Sequence, residues 1–390
     1  HRAHVRGGLT VQTSATATGL FEKEAKRLRV ITTSEVRTFR RCPREHHFTY
    51  RLLVRARRTA EPLRFGTLIH HGLEKWFHTV SLDAAREAMW SMKTKDTDAY
   101  ELAKADAMIT GYHHRWKDAD LEVLAVEAPF ECELINPLTG APSKTYRLGG
   151  KIDAVVRLPD GRVAVVEHKS SAEDVSGGSV YWQKLRIDAQ VSNYLAGARS
   201  IGFDATECIY DVARKPTAVP RLATPEEKRE YTKPRTKLCP ECKKKNAPPA
   251  PHTITTDAGD VQCVDSIVLT FRGGELYANQ RATDETPDEY RARILKEQIG
   301  PEPEKYFIRG DVVRLKNERE EAAYDLWSTA RAMREAELAQ RWPRNPDACF
   351  RYGRPCTFFA VCSGAASLDD PTLFRIAESA HEELAEEKAA

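Results

Sequence analysis

Three residues near the middle of the chain carry the side chains that metal-assisted hydrolysis needs. Asp153 ends the run Gly150-Lys151-Ile152-Asp153, and Glu167 and Lys169 lie in Val165-Val166-Glu167-His168-Lys169-Ser170. Both runs are apolar enough to be strands, and Pro159-Asp160-Gly161 between them is built of turn residues, so the pair reads as a hairpin. Alternate residues of a strand share a face, which puts Glu167 and Lys169 on the same side. A register that also brings Asp153 alongside gathers two carboxylates and an ammonium around one small space. Carboxylate oxygens suit Mg²⁺ or Mn²⁺, and a neighbouring lysine can position or deprotonate an attacking water. Such a set is equipped for phosphodiester hydrolysis. A half-exposed hairpin with alternating charges yields the same letters, so the rest of the chain has to decide.

The flanking elements can be read from periodicity. Ser34 is a plausible N-cap for a helix through Val36, Phe39 and Cys42 to Leu52, with Pro43 imposing a kink or a new start. A second helix from Phe65-Gly66-Thr67 buries Leu68, Ile69, Leu73, Trp76 and Phe77; it carries His70 and Glu74 four apart, a spacing that lets both approach one metal or simply form a polar edge. Helices over 82–92 and 98–117 read as packing elements. From Leu121 to Leu134 the pattern alternates as a strand does, and the hairpin strands follow at 145–158 and 162–170. A helix over 183–200 carries Gln190 and Tyr194 one turn apart, within reach of the metal site, and a strand at 206–213 follows. A strand at 266–271, a helix at 286–298, a strand at 306–315 and a helix at 318–341 complete the pattern. This is an α/β fold, with a mixed central sheet flanked by helices.

Composition bounds the class. The chain has 390 residues, 41% of them hydrophobic, and a net charge of only +3, so no global basic excess advertises nucleic acid. The charge is uneven, however: nine arginines between Arg37 and Arg64 face two glutamates, whereas Glu378–Lys388 is mostly acidic. An arginine-rich segment suits a phosphate backbone, and also suits a solvated helix face. No run is long enough for a membrane span, and the first twenty residues lack a signal-peptide core, which points to a cytoplasmic protein without a membrane partner. Residues 1–30 read as a disordered or artificial lead-in, to which no function attaches.

Nine cysteines without an export signal point to metal rather than disulfides. Cys349, Cys356 and Cys362 fall within fourteen residues among aromatics and glycine, one thiolate short of a closed site. Cys42 is the evident fourth, and would clamp the two ends of the chain together. Four thiolates shielded by aromatics favour a [4Fe–4S] cluster, although they also fit zinc. Cys239-Pro-Glu-Cys242 in the proline- and lysine-rich segment 216–265 is half of a zinc knuckle; His252 and Cys263 could complete a second, structural zinc site, the alternative being a flexible loop with a decayed knuckle.

Taken in order, the motifs resemble the RecB-like, iron–sulfur branch of the PD-(D/E)XK nucleases, which includes CRISPR-associated exonucleases and the nuclease domains of recombination complexes. The matching residues are Ser34 to Pro43 (Ser-x4-Phe-x2-Cys-Pro), Gly66 to His70 (Gly-Thr-x2-His), Gly150 to Asp153, Glu167 to Lys169, Gln190 to Tyr194 and the terminal cysteines. Ile152 stands where the superfamily name has proline, and the six-residue gap between Cys349 and Cys356 is wider than in the best-known members. The resemblance implies that His70, Asp153 and Glu167, helped by the carbonyl of His168, ligate Mg²⁺ or Mn²⁺. It further implies that Lys169 orients water, that Gln190 and Tyr194 contact DNA or steady the site, and that Cys42, Cys349, Cys356 and Cys362 hold a structural cluster.

The expected organisation is a helical region (31–120), a nuclease core (121–215), an insertion (216–265), the end of the core with a long helix (266–341), a cysteine segment (342–365) and an acidic tail (366–390). The expected activity is DNA cleavage by an exonuclease acting in recombination, repair, or phage or CRISPR DNA processing. A non-catalytic iron–sulfur DNA-binding scaffold and a zinc-stabilised endonuclease are the alternatives. No Gly-x4-Gly-Lys-[Ser/Thr] loop occurs, so a helicase or recombination partner would be needed to open duplex ends.

Overall fold

The computed structural model describes residues 28–384, apart from positions 234, 237, 246, 265–269, 272, 273 and 352. Most of the expected lead-in and most of the expected 266–271 strand therefore lie outside the described residues. The chain forms two compact units: residues 1–216 together with 297–390, and Thr217–Lys296.

The larger unit opens with β1 (Arg29–Thr32), so Arg29 and Val30, which the sequence reading placed in the lead-in, are part of the sheet. The first helix, Thr33–Arg41, is capped by Thr32, whose hydroxyl accepts from the Glu35 amide, rather than by Ser34. Cys42 is extended, and Pro43 starts a new short helix to His46 that runs into a π-helical turn, His47–Arg51. After β2 (Val54–Ala56) come three helices, Glu61–Thr79, Leu82–Ser91 and Ala99–Trp116.

The chain then lays down β3 (Glu122–Ile135), β4 (Pro142–Arg157), β5 (Val163–Ser171) and β6 (Ala205–Arg214). Ile152, Ala154, Val155 and Val156 of β4 and Ala164, Val165 and Val166 of β5 are all buried. Such continuous apolar runs mark strands covered on both faces. The single helix expected over 183–200 is two, Val180–Leu185 and Ala189–Ser200, because Asp188 accepts the Gln190 amide and starts a fresh N-terminus.

In the smaller unit, the two-residue strands β7 (Arg235–Thr236) and β10 (Thr270–Phe271) bracket a hairpin of β8 (His252–Thr256) and β9 (Gly259–Cys263). The unit runs well past the 216–265 segment read from composition. Its helix Pro287–Ile294 has a Thr286–Glu289 capping box, and Tyr290 donates to the Ala218 carbonyl at 2.7 Å, tying the end of the segment to its start.

Back in the larger unit, β11 (Phe307–Val313) precedes the long helix Lys316–Leu338. The six-stranded sheet has the order β1-β4-β5-β6-β11, with β3 also on β4. β1 on β4 and β5 on β6 are parallel, and the other pairs are antiparallel, so the sheet is mixed as expected. The cysteine segment contributes a minimal hairpin, β12 (Phe350–Arg351) and β13 (Arg354–Pro355). The region expected to be a mere acidic tail supplies β14 (Phe374–Ile376), which pairs with β2, while Arg375 pairs with Glu382 at 3.0 Å. The two ends of this unit are thus joined by backbone as well as by side chains.

Most arginines of the arginine-rich segment have partners within the chain. Arg37 pairs with Asp188, Arg41 with Glu45, Arg51 with Glu35 and Glu337, and Arg64 with Glu101. Arg40 bonds the Thr329 hydroxyl, and Arg44, Arg55 and Arg57 reach the carbonyls of Trp342, Ala380 and Pro371. The Arg40, Arg44, Arg51, Arg55 and Arg57 guanidiniums join the first elements to the C-terminal ones, while Arg37, Arg40, Arg57 and Arg58 remain exposed.

Candidate active site

The site forms where two strands part. The last β4–β5 ladder pair at this end is Ala154 with Val166, which leaves Asp153 and Glu167 next to each other just beyond it. Asp153 occupies part of the opening itself: its Oδ2 accepts the His168 amide at 2.7 Å. Lys169 donates to Glu167 Oε1, as their shared strand face predicts, and Gln190 Nε2 donates to the same oxygen at 2.6 Å. Gln190 reaches it because Asp188 begins the Ala189–Ser200 helix at this point.

His70, on the Glu61–Thr79 helix, stands with Nδ1 3.8 Å from Asp153 Oδ1. Glu74 lies nearer His71, at 3.5 Å, than the His70–Glu74 pairing foresaw, although both His70 and Glu74 line the same cleft. Tyr194 lines it too, with its ring 5.9 Å from that of Phe130. The cleft has a volume of about 420 Å³ and includes Asp153, Lys151 and Glu127. The structure therefore brings His70, Asp153, Glu167, Lys169, Gln190 and Tyr194 to one place.

Electrostatics mark the pair of carboxylates. Burial, reinforced by the neighbouring acid, pushes Glu167 up to about 7, and burial with Glu127 nearby pushes Asp153 up to about 7. Burial alone would lower Lys169, but the two carboxylates outweigh it and its pKa is raised. Burial and the Lys169 charge lower His70, which keeps its imidazole neutral and able to act as a ligand. Glu167 Oε2 is buried with no hydrogen-bond partner. An unclaimed buried carboxylate oxygen beside a second destabilised carboxylate is the environment that a divalent cation relieves, so the residues present fit Mg²⁺ or Mn²⁺.

Two further features were not read from the sequence. Glu127 on β3 has a left-handed backbone (φ 49°), pairs with Lys151 and faces the cleft; the signal was an acid breaking the apolar stretch Leu124–Ala128. Behind the site, Asp211 accepts from Tyr112 and from Arg309 Nε at 3.2 Å, and lies 3.6 Å from His168 Nδ1. The His168 imidazole is buried beside Phe77, with ring centroids 4.8 Å apart, so its side chain braces the strand rather than facing the cleft.

Away from the cleft, Cys42, Cys349, Cys356 and Cys362 line one small cavity with Phe358 and Phe359. The Cys356 amide donates to the Cys349 carbonyl at 2.7 Å, and burial pushes the Cys356 thiol up to about 11. Phe48, Val54, Phe358 and Phe374 form the adjoining apolar cluster. Four thiols lining one small, aromatic-walled cavity are residues of the kind that hold a metal centre, although among the described residues their sulfurs are not gathered as closely as the set in the smaller unit. In the smaller unit, Cys239, Cys242, His252 and Cys263 also come together.

A family model for the PD-(D/E)XK nuclease superfamily matches residues 30–363. The chain belongs to that superfamily. PD-(D/E)XK nucleases are phosphodiesterases that typically use divalent metals, in keeping with the carboxylate pair at the strand fork. Two solved structures are similar to part of this PD-(D/E)XK chain. One is SSO0001, at 16% identity over 50% of this chain and 72% of that one, with a TM-score of 0.22. The other is a candidate exonuclease from Eubacterium rectale, at 14% identity over 53% and 75%, with a TM-score of 0.31. No curated protein matches the sequence. Among the described residues, no helix is long and apolar enough to cross a membrane.

Proposed function

We propose that this PD-(D/E)XK chain is a metal-dependent DNA nuclease of the RecB-like, iron–sulfur branch. It acts as an exonuclease on DNA ends or single strands, in recombination, repair, or phage or CRISPR DNA processing. The observation that carries the reading is the strand fork that sets Asp153 and Glu167 side by side, with Lys169 and Gln190 both donating to Glu167 Oε1 and Glu167 Oε2 left unclaimed.

Asp153, Glu167 and His70 would hold the cation. When bound, it supplies a Lewis acid that neutralises the scissile phosphate and lowers the pKa of water. Gln190 fixes the Glu167 carboxylate through its 2.6 Å bond, so Glu167 enters the reaction already oriented. Lys169 presents an ammonium beside the same carboxylate, where it can steer the attacking water and offset charge growing on the phosphoryl oxygens. Tyr194, in the wall of the cleft, would pack against the nucleotide. Attack is direct and in line, with no covalent enzyme intermediate. Cys42, Cys349, Cys356 and Cys362 would hold a [4Fe–4S] cluster with a structural role, closing the unit where β2 meets β14.

The test is cleavage of linear and circular, single- and double-stranded DNA by anaerobically purified protein with Mg²⁺ or Mn²⁺, beside Asp153→Ala. Cutting of linear but not circular DNA, lost in the variant, supports the exonuclease. Cutting of circles would make it an endonuclease, and binding without any cutting would replace catalysis by a scaffold role.

A further inference from the structure

We propose that Cys239, Cys242, His252 and Cys263 bind one zinc ion, which is the organising centre of the knuckle and hairpin in the Thr217–Lys296 unit. The ligand atoms of these four residues all lie within 4.8 Å of one another, and Cys242 Sγ is 3.6 Å from His252 Nε2. A tetrahedral ion with Zn–S of ~2.3 Å and Zn–N of ~2.0 Å separates its ligand atoms by ~3.4–3.8 Å. Only a slight closure of the quartet is therefore needed.

The backbone is arranged for this. Cys239 and Cys242 sit on a tight turn in which the Lys243 amide donates to the Cys239 carbonyl at 2.9 Å and the Cys239 amide to the Lys244 carbonyl at 3.1 Å. Lys243 has a left-handed backbone (φ 57°), which bends the chain back towards the hairpin. The β8–β9 register pairs His252 directly with Cys263, bringing the other two ligands together at the open end of that hairpin.

Burial makes the same point. The apolar cluster here consists of Cys239, Ala247 and Cys263, with Cys242 packed on it. Three of its four members are thiols, and a two-stranded hairpin with so small an interior is marginal by itself. A closed set of three sulfurs and one imidazole takes zinc and excludes Mg²⁺ or Ca²⁺, which need oxygen ligands. Binding free energy then becomes folding free energy for this segment. This zinc is distinct from the centre at Cys42, Cys349, Cys356 and Cys362, and the inference does not depend on nuclease activity.

The experiment counts metals in the full chain and in two double variants, Cys239→Ser/Cys242→Ser and Cys349→Ser/Cys356→Ser. One zinc per chain is expected in the wild type and in the second variant, with loss of that equivalent in the first. Replacement by Co²⁺ should give the thiolate charge-transfer and tetrahedral ligand-field bands, absent from the first variant. Should the first variant fail to fold, alkylation of the wild type decides: Cys239, Cys242 and Cys263 should be protected until a chelator is added. Less than a tenth of an equivalent of zinc in wild-type protein, zinc unchanged in Cys239→Ser/Cys242→Ser, or alkylation indifferent to chelator would each overturn the proposal.

Discussion

Replacing Asp153 by asparagine should stabilise the metal-free protein while abolishing cleavage. The Asp153 carboxyl is pushed from an ordinary 3.8 up to about 7, chiefly by burial. In its ionised form each pH unit of that rise costs about 1.4 kcal/mol, an upper bound of roughly 4 kcal/mol for Asp153 above pH 7. Coupling to Glu167 and the residual 12% exposure of the side chain reduce this to about 1–3 kcal/mol. Asparagine keeps the hydrogen bond, because its carbonyl oxygen can still accept the His168 amide, and it removes the charge. Without metal at pH 8, Asp153→Asn should therefore melt ~1–4 °C above wild type. The folded-state pKa is raised, so the wild-type penalty is full above pH 7, shrinks as pH falls from 7 towards the ordinary 3.8 and is gone below that; the two melting curves should draw together steadily and converge only near pH 4. With saturating Mg²⁺ or Mn²⁺ the order should reverse, since only the wild type gains binding energy. Scanning calorimetry over pH 4–8, with and without metal, reads all three effects. A metal-free variant less stable than wild type at pH 8, or a gap that does not narrow between pH 7 and pH 4, would refute the reasoning.

Other substitutions probe separate parts of the molecule. Glu127→Gln should raise the Mg²⁺ concentration for half-maximal cleavage about tenfold, while kcat at saturating metal changes little; equal loss at all metal concentrations would remove Glu127 from the ion's surroundings. Cys42→Ser should strip most of the iron and its visible absorbance, and unchanged iron content would exclude this thiol as a ligand. Gly197→Ala should destabilise by ~1–3 kcal/mol, because its Cβ would meet the Phe130 ring at 2.6 Å; Phe130→Leu should recover much of the loss, as denaturant titration can measure. Glu35→Gln should cost about 3 kcal/mol or more, since it breaks bonds to Arg51 at 2.7 Å, His46 at 2.8 Å and His381 at 3.0 Å. Burial would raise Glu35, but these partners hold it well below the carboxylate range. The stability it confers is full above its unfolded pKa of about 4.5 and is lost as pH falls below that, so the variant should show a shallower acid limb.

Much of the site was legible because its chemistry sits in short, regular segments. Strand alternation by itself places Glu167 and Lys169 on one face, and one helical turn separates Gln190 from Tyr194. The ordered motifs pointed to the superfamily that the matching of residues 30–363 establishes. Glu127 escaped notice because its relevance depends on β3 lying against β4, a pairing between distant segments. The split of the 183–200 helix hung on a single side chain, Asp188, competing for backbone amides.

By itself the sequence determined residue types and local periodicity: an α/β chain, two carboxylates with a lysine, and cysteines in two groups. Tertiary structure alone decided who meets whom. The ladder ends after Ala154 and Val166, and that ending, invisible in either strand, makes the site. Several arginines of the first elements found partners far along the chain, as with Arg51 and Glu337. His252 faces Cys263 only because the intervening hairpin closes in that register. Contacts of this kind depend on long-range packing, which no window of neighbouring residues encodes.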